Sequence, residues 1–207
     1  MTTSDAQPVH ATAEALMDAT ERLLITAGQA GVSTRRVAEE AGQPHGLVRY
    51  HFGSLEALML EVLDRASGRI LERQRELYGG DRPFRAKWQQ AMEYLEADLG
   101  DGFPKITAEL FARAWNDPAY RDGLRQTMAA FTDMLVDAVA GAAREYGSDL
   151  DDRDLLAVAT LIRTFQIGVL VERLADIDVG HAELAAAIDR TLEAAHDRGD
   201  INARSTA

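Results

Sequence analysis

The sequence predicts an all-α fold, and three observations carry that reading. Alanine, leucine, glutamate and arginine, all strong helix formers, dominate the chain. Apolar residues recur at three- and four-residue spacing, and the strict alternation of a half-buried strand is absent. Glycine and proline fall mostly between the periodic segments, with Gly68, Gly123, Gly141 and Gly168 as the exceptions inside them. A length of 207 residues suits one or two domains, and 46% apolar with 27% charged residues suits a soluble chain with a core.

Residues 1–12 read as a polar, mobile arm. A first helix is expected over about Ala13–Ala27, where Leu16, Ala19, Leu23, Leu24 and Ala27 form one apolar face. Gly28 and Gly31 end it. Ser33 is a good N-cap for a short helix over Thr34–Ala41, with Val37, Ala38 and Ala41 inward. Gly42 suits the left-handed position that follows a helix. A third short helix is expected over Pro44–His51, and Gly53 punctuates it. Ser54 caps a long fourth helix to about Tyr78, without the Glu or Gln of a capping box, because Ala57 stands in that place. Gly79-Gly80-Asp81-Arg82-Pro83 reads as the linker to a second region. Helices follow near Phe84–Leu99, Phe103–Trp115, Pro118–Tyr146, Asp152–Ala175 and Ala182–Asp197, and residues 199–207 read as a polar tail. The expected domains are therefore an arm at 1–12, a head at 13–53 joined by helix four at 54–78, a second domain at 79–198 and the tail.

Composition excludes several chemistries. There are 22 Lys+Arg against 34 Asp+Glu, a net charge of −12, which is wrong for a general polyanion coater. The chain has no cysteine, so disulfides, thiol catalysis and cysteine-ligated metals are excluded, and a reducing cytoplasm suits it. Met1–His10 lacks the charge and apolar run of a secretory signal. The most apolar stretch, Leu155–Leu170, is interrupted by Arg163 and Gln166 and reads as a helix buried in protein, with no membrane partner. The five histidines, at positions 10, 45, 51, 181 and 196, lack metal-site spacing. Asp149–Asp154 lacks the glycine and final glutamate of a calcium loop and reads as charge at a helix start. No phosphate-binding glycine loop or nucleophile elbow is present, so no cofactor and no enzymatic activity are expected.

Two short helices joined by Ala41-Gly42-Gln43 make a helix-turn-helix pattern, and the second helix of such a unit fits the major groove of DNA. The stretch Ala15–Glu61 resembles the TetR family of bacterial transcriptional regulators. The residues that carry the resemblance are Ala19–Gly28, Ser33–Gly42, Leu47–Ser54 and Glu56-Ala57-Leu58, above all Tyr50-His51-Phe52 with Ser54. They cover less than a quarter of the chain. The resemblance implies base reading from the third helix. Gln43, His45, Leu47 and Arg49 are the candidates, and Arg49 comes first because a guanidinium can pair with guanine in a bidentate way. Leu47 could meet a thymine methyl, although Leu47 or Val48 must also fill the core. Ser33, Thr34, Arg35, Arg36, Tyr50, His51 and Ser54 are the candidates for the DNA backbone. Arg49 stands where the family often has tyrosine, and Leu55 stands where it usually has a phosphate-contacting lysine. Residues 1–53 carry four Arg against six Asp+Glu, so few phosphate contacts per subunit are expected.

The helices near 152–175 and 182–197 have broad apolar faces that need cover on two sides. The resemblance implies a homodimer through the last two long helices, with Leu161, Phe165, Val169, Leu184, Ile188 and Leu192 as interface candidates. Trp88, Met92, Phe103, Phe111, Trp115, Met128, Phe131 and Met134 are either core or the lining of an apolar effector pocket. Glu109, Arg163 and Gln166 are polar in apolar stretches and could orient a ligand. The expected function is a one-component, ligand-responsive repressor released from a near-palindromic operator by a small, largely apolar effector. Two alternatives stand beside it: an effector-independent architectural DNA-binding dimer, and a helical binding protein without DNA binding.

Overall fold

A computed structural model describes the backbone of residues 6–205, and the side chains of 10–109 and 111–197. Among the described residues there is no strand. These residues form nine α-helices in order: α1 Ala6–Ala27, α2 Thr34–Glu40, α3 Gly46–Phe52, α4 Leu55–Gly79, α5 Phe84–Gly100, α6 Phe103–Ala114, α7 Pro118–Glu145, α8 Asp152–Arg173 and α9 His181–Ser205. A single 3-10 turn, Gln29–Gly31, joins α1 to the next helix.

Two ends differ from the sequence reading. Helix α1 begins at Ala6, so most of the expected arm is helical; nothing in His10–Ala13 breaks a helix, and one turn continues into the next. Helix α9 runs on to Ser205 through most of the expected tail. The remaining boundaries shift by one or two residues, where capping decides the end. The Ser33 hydroxyl accepts from the Arg36 amide at 3.3 Å, and the Ser54 hydroxyl accepts from the Ala57 amide at 3.0 Å. Asp151 caps α8 by accepting from the amides of Arg153 and Asp154.

The chain divides into two compact units, and the division does not fall at Gly79–Pro83. One unit joins the residues up to Gly68 with Gly102–Arg125; the other joins Arg69–Asp101 with the residues from Gln126 on. The reason lies in α6. Ile106, Ala114 and Tyr120 are buried in the same apolar cluster as Leu16, Leu23, Val37, Val48, Leu58 and Val62. A segment that fills a core belongs to that core, wherever it lies in sequence. Around this cluster Arg65 of α4 meets three carboxylates of α1, Glu14, Asp18 and Glu21, at 2.9, 2.7 and 2.8 Å.

The second unit has its own cluster, built from Leu77, Tyr78, Phe84, Ala91, Met134, Leu135, Ala138, Val139, Ala142 and Ala159. Helix α9 is tied to α5 by Arg85, which donates to both oxygens of Asp189 and to Glu193. Helix α8 is long and apolar enough to cross a membrane by length and composition, contrary to the sequence reading. Here one side of it packs in the unit, through Ala159, Val169 and Leu170, while Leu156, Val158, Leu161, Val171 and Leu174 stay exposed.

Candidate nucleic-acid interface and apolar groove

The turn between α2 and α3 is closed by two backbone bonds. The Gln43 amide donates to the Ala38 carbonyl at 2.9 Å, and the Gly42 amide donates to the Glu39 carbonyl at 3.2 Å. This is a Schellman ending, and its left-handed residue is Gly42 at φ +64°. A side chain there would be strained, so glycine fixes the angle at which α3 leaves the turn. Val48 anchors α3 in the core, with Leu47 and Phe52 half-buried against the same cluster.

With Val48 inward, the opposite side of α3 is free. His45, Arg49 and Tyr50 are exposed, and Tyr50 keeps 72% of its surface in solvent. Its ring meets His51 edge-on, with centroids 5.0 Å apart. Arg49 has no ion pair among the described residues. Gln43 is half-buried in the turn and Leu47 half-buried on the helix, so the two differ from Arg49 in reach. On α2, Arg35 and Arg36 are exposed; Arg35 pairs with Glu39 at 2.7 Å in water, a pair that exchanges its partner at little cost. Thr34 is half-buried beside the capping Ser33, and Ser54 is exposed at the start of α4. Leu55, next to it, is half-buried and packs on the core.

In the other unit an apolar groove of about 480 Å³ opens between α5, α7, α8 and α9. Val158, Leu161, Ile162 and Phe165 line it from α8, and Leu184, Ala187, Ile188 and Thr191 from α9. Both sets follow the i, i+3, i+4, i+7 spacing of a single helix face. Trp88 of α5 closes the floor, its ring centroid 6.2 Å from that of Phe165. Tyr146 adds its ring, and burial pushes its phenol up to about 12.

The sequence pattern of the bacterial regulatory proteins of the tetR family matches residues 16–62. The match covers the head, less than a quarter of the chain. No curated protein matches its sequence. Solved structures do match its fold. A TetR-family protein from Rhodococcus sp. is 25% identical, over 87% of this chain and 98% of that one, with a TM-score of 0.72. A TetR transcription regulator from Haloarcula marismortui is 20% identical, over 91% and 97%, with a TM-score of 0.72. The regulator FadR from Bacillus subtilis, in complex with stearoyl-CoA, is 15% identical, over 86% and 96%, with a TM-score of 0.71.

The residues singled out as pocket candidates fall in both units. Phe103, Glu109, Phe111 and Trp115 belong to the unit that carries the head. Trp115 is 82% exposed, Phe111 is exposed, and Glu109 lies against Gly28. Met92, Phe131 and Met134 fill the core of the other unit, and only Trp88 lines the groove. Met128, Arg163 and Gln166 are half-buried in that unit. Of the interface candidates, Leu161 and Leu184 are exposed, whereas Phe165, Ile188 and Leu192 are half-buried along the groove and Val169 is inside. The groove-lining Phe84, Val139, Ala142, Tyr146, Leu150, Val158 and Ile162 were not singled out as a site. The matching spacings on α8 and α9 were the signal that could have found part of it. Among the described residues no group of three or more His, Asp or Glu is placed to hold a metal ion.

Proposed function

We propose that this protein belongs to the tetR family and is a one-component, ligand-responsive transcriptional regulator of the cytoplasm, a repressor that leaves a near-palindromic operator when an effector binds. The observation that carries the reading is α3: a short helix with one anchored side and one exposed side that bears Arg49, which has no ion pair among the described residues. Arg49, His45 and Gln43 read bases in the major groove, with Leu47 at the edge of that contact. Ser33, Thr34, Arg35, Arg36, Tyr50, His51 and Ser54 meet the sugar–phosphate backbone. The exposed leucines and valines of α8 and α9 support a homodimer, which would hold two heads about 34–36 Å apart on successive turns of DNA. The apolar groove and the half-buried polar residues of α8 support a small-molecule effector, and a protein of the same fold holds stearoyl-CoA. Effector binding shifts the dimer only by its differential affinity for the two head spacings.

Selection of bound genomic fragments by the wild type and by Arg49→Ala tests this function. A short near-palindrome enriched by the wild type and lost in the variant supports it. Equal enrichment by both removes Arg49 from base reading. The absence of any enriched sequence at low salt overturns the DNA-binding function itself.

A further inference from the structure

Helix α8 turns one stripe toward the interior of its unit. Ala159, Arg163, Gln166 and Leu170 follow one another at i, i+4, i+7 and i+11, the spacing of a single helix face. Ala159 is fully buried and Leu170 nearly so, and the two polar residues between them are half-buried. Arg163 carries a charge that proteins do not remove. Among the described residues its one hydrogen bond is long: Nη1 donates to the Met128 carbonyl of α7 at 3.5 Å. Its Nε is enclosed and has no acceptor. Among the described residues no carboxylate pairs with it.

The other half-buried arginines of the same unit are all paired. Arg73 meets Asp98 at 2.6 Å, Arg85 meets Asp189 at 2.8 Å and Arg173 meets Glu96 at 3.5 Å. Each of these guanidinium groups has a carboxylate partner, although the Nε of Arg73 is enclosed without an acceptor like that of Arg163, and Arg163 differs in having no carboxylate among the described residues. An enclosed charge without a counter-ion is costly to keep, and a fork of five donors fits a planar carboxylate. Met128 of α7, whose carbonyl Arg163 reaches, is apolar and half-buried, and Ile162 and Phe165, which adjoin Arg163 and Gln166 in sequence, line the apolar groove.

We propose that Arg163 receives the carboxylate of the effector, so that the effector is an acid with an apolar body. Gln166, less than one turn further along α8, supplies a second donor through its amide. The proposal rests on the ligand-responsive reading above and narrows it, from an apolar molecule to an apolar anion. Arg163 holds the head group, and Met128 with the groove residues Ile162 and Phe165 holds the body.

The test compares straight-chain and aryl-alkyl carboxylic acids, from hexanoate to hexadecanoate and phenylacetate, each with the primary alcohol of the same carbon count. Binding to the full chain is followed by calorimetry, for the wild type, Arg163→Met and Arg163→Lys. At least one acid is expected to bind about tenfold or more tighter than its alcohol. Arg163→Met brings that ratio close to one, and Arg163→Lys, a point charge without the fork, keeps part of it. The proposal is overturned if no acid outperforms its alcohol, or if the preference survives in Arg163→Met. A second readout needs no ligand. Arg163→Met removes an uncompensated charge, so the Tm of the free protein is expected to stay level or rise; a clear fall assigns Arg163 to structure and overturns the proposal. Operator release is measured separately. An acid that binds through Arg163 but leaves DNA affinity unchanged supports the site and overturns the regulatory reading.

Discussion

Leu55 opens α4 half-buried against the cluster that holds Leu16 and Val48, directly after the capping hydroxyl of Ser54. A lysine there could keep its methylene stem on the same apolar surface and raise its ammonium to solvent. Leu55→Lys is therefore expected to tighten binding about equally for all DNA sequences. The slope of log K against log salt should steepen by about one per added phosphate contact. An unchanged slope, measured by fluorescence anisotropy over a salt series, means that the start of α4 does not approach the backbone. Tyr120 shows a second residue set by its surroundings. It is buried beneath the Arg113 guanidinium, 4.5 Å from its ring centroid, and its hydroxyl donates to the Glu56 carbonyl at 3.4 Å. Burial pushes its phenol up to about 12, against about 10 in an unfolded chain. The neutral form is the one that folds, so the stability is complete below about pH 10 and drains as pH rises toward 12. Denaturant unfolding between neutral and alkaline pH is expected to show that loss. In Tyr120→Phe it should be smaller, with neutral-pH stability changed by about 1 kcal/mol at most, because the bond given up is long.

The contact of α5 with α9 is written in charge. Arg85 donates to both carboxylate oxygens of Asp189, and Gln89 donates to the same group. The Arg85 bond, with the Gln89 bond after it, holds the Asp189 carboxyl below the usual carboxylate range. A lowered folded value means that the contribution is present above the unfolded pKa, about 3.9, and is lost as pH falls through the folded one. Amide protection along Leu184–Leu192, taken relative to the intrinsic exchange rate at each pH, is therefore expected to fall at acid pH more than protection in α1. Asp189→Asn should show the lower protection already at neutral pH and a weaker acid response. Equal acid responses in the two proteins would remove the clamp as the cause.

These helices also mark what a linear reading can reach. Ser33, Gly42 and Ser54 announced α2, α3 and α4 because caps and turns depend on residues a few positions apart. The exposed side of α3 was legible for the same reason: Val48 had to face inward. Glycine and proline at 79–83 did mark the end of one helix and the start of another. They did not mark the border between units, because α6 and Tyr120 join the first core across some forty residues or more, a distance at which local signals carry no information. The pocket candidates fall in both units for a related cause. Large apolar side chains at helical spacing look alike whether they fill a core, as Met134 does, or stay in solvent, as Trp115 does.

For the whole protein, the proposed DNA binding asks an acidic chain with a net charge of −12 to hold a polyanion through a few well-placed contacts. Two linked heads are the direct solution, because the second contact is then made at a high effective concentration and overall affinity rises by about 10²–10⁴. The surface that could link them is the exposed apolar side of α8 and α9. Leu161 is 69% exposed, and Leu184 and Val158 lie open with it. An unpaired apolar face of this kind favours a partner with the same face, and a two-fold axis then matches a palindrome to the pair of heads. Leu161→Asp with Leu184→Asp puts like charges on both sides of such an axis. Sedimentation velocity is expected to show a dimer for the wild type and a monomer for the double variant. Far-UV circular dichroism should stay unchanged, because both positions are exposed. Affinity for a full operator is then expected to fall by about a hundredfold or more, while affinity for an isolated half-site stays within a few-fold. A double variant that remains dimeric moves the interface off these two helices. A monomer that loses no affinity for the full operator means that one head alone reads the DNA, and the palindrome has no structural cause in the dimer.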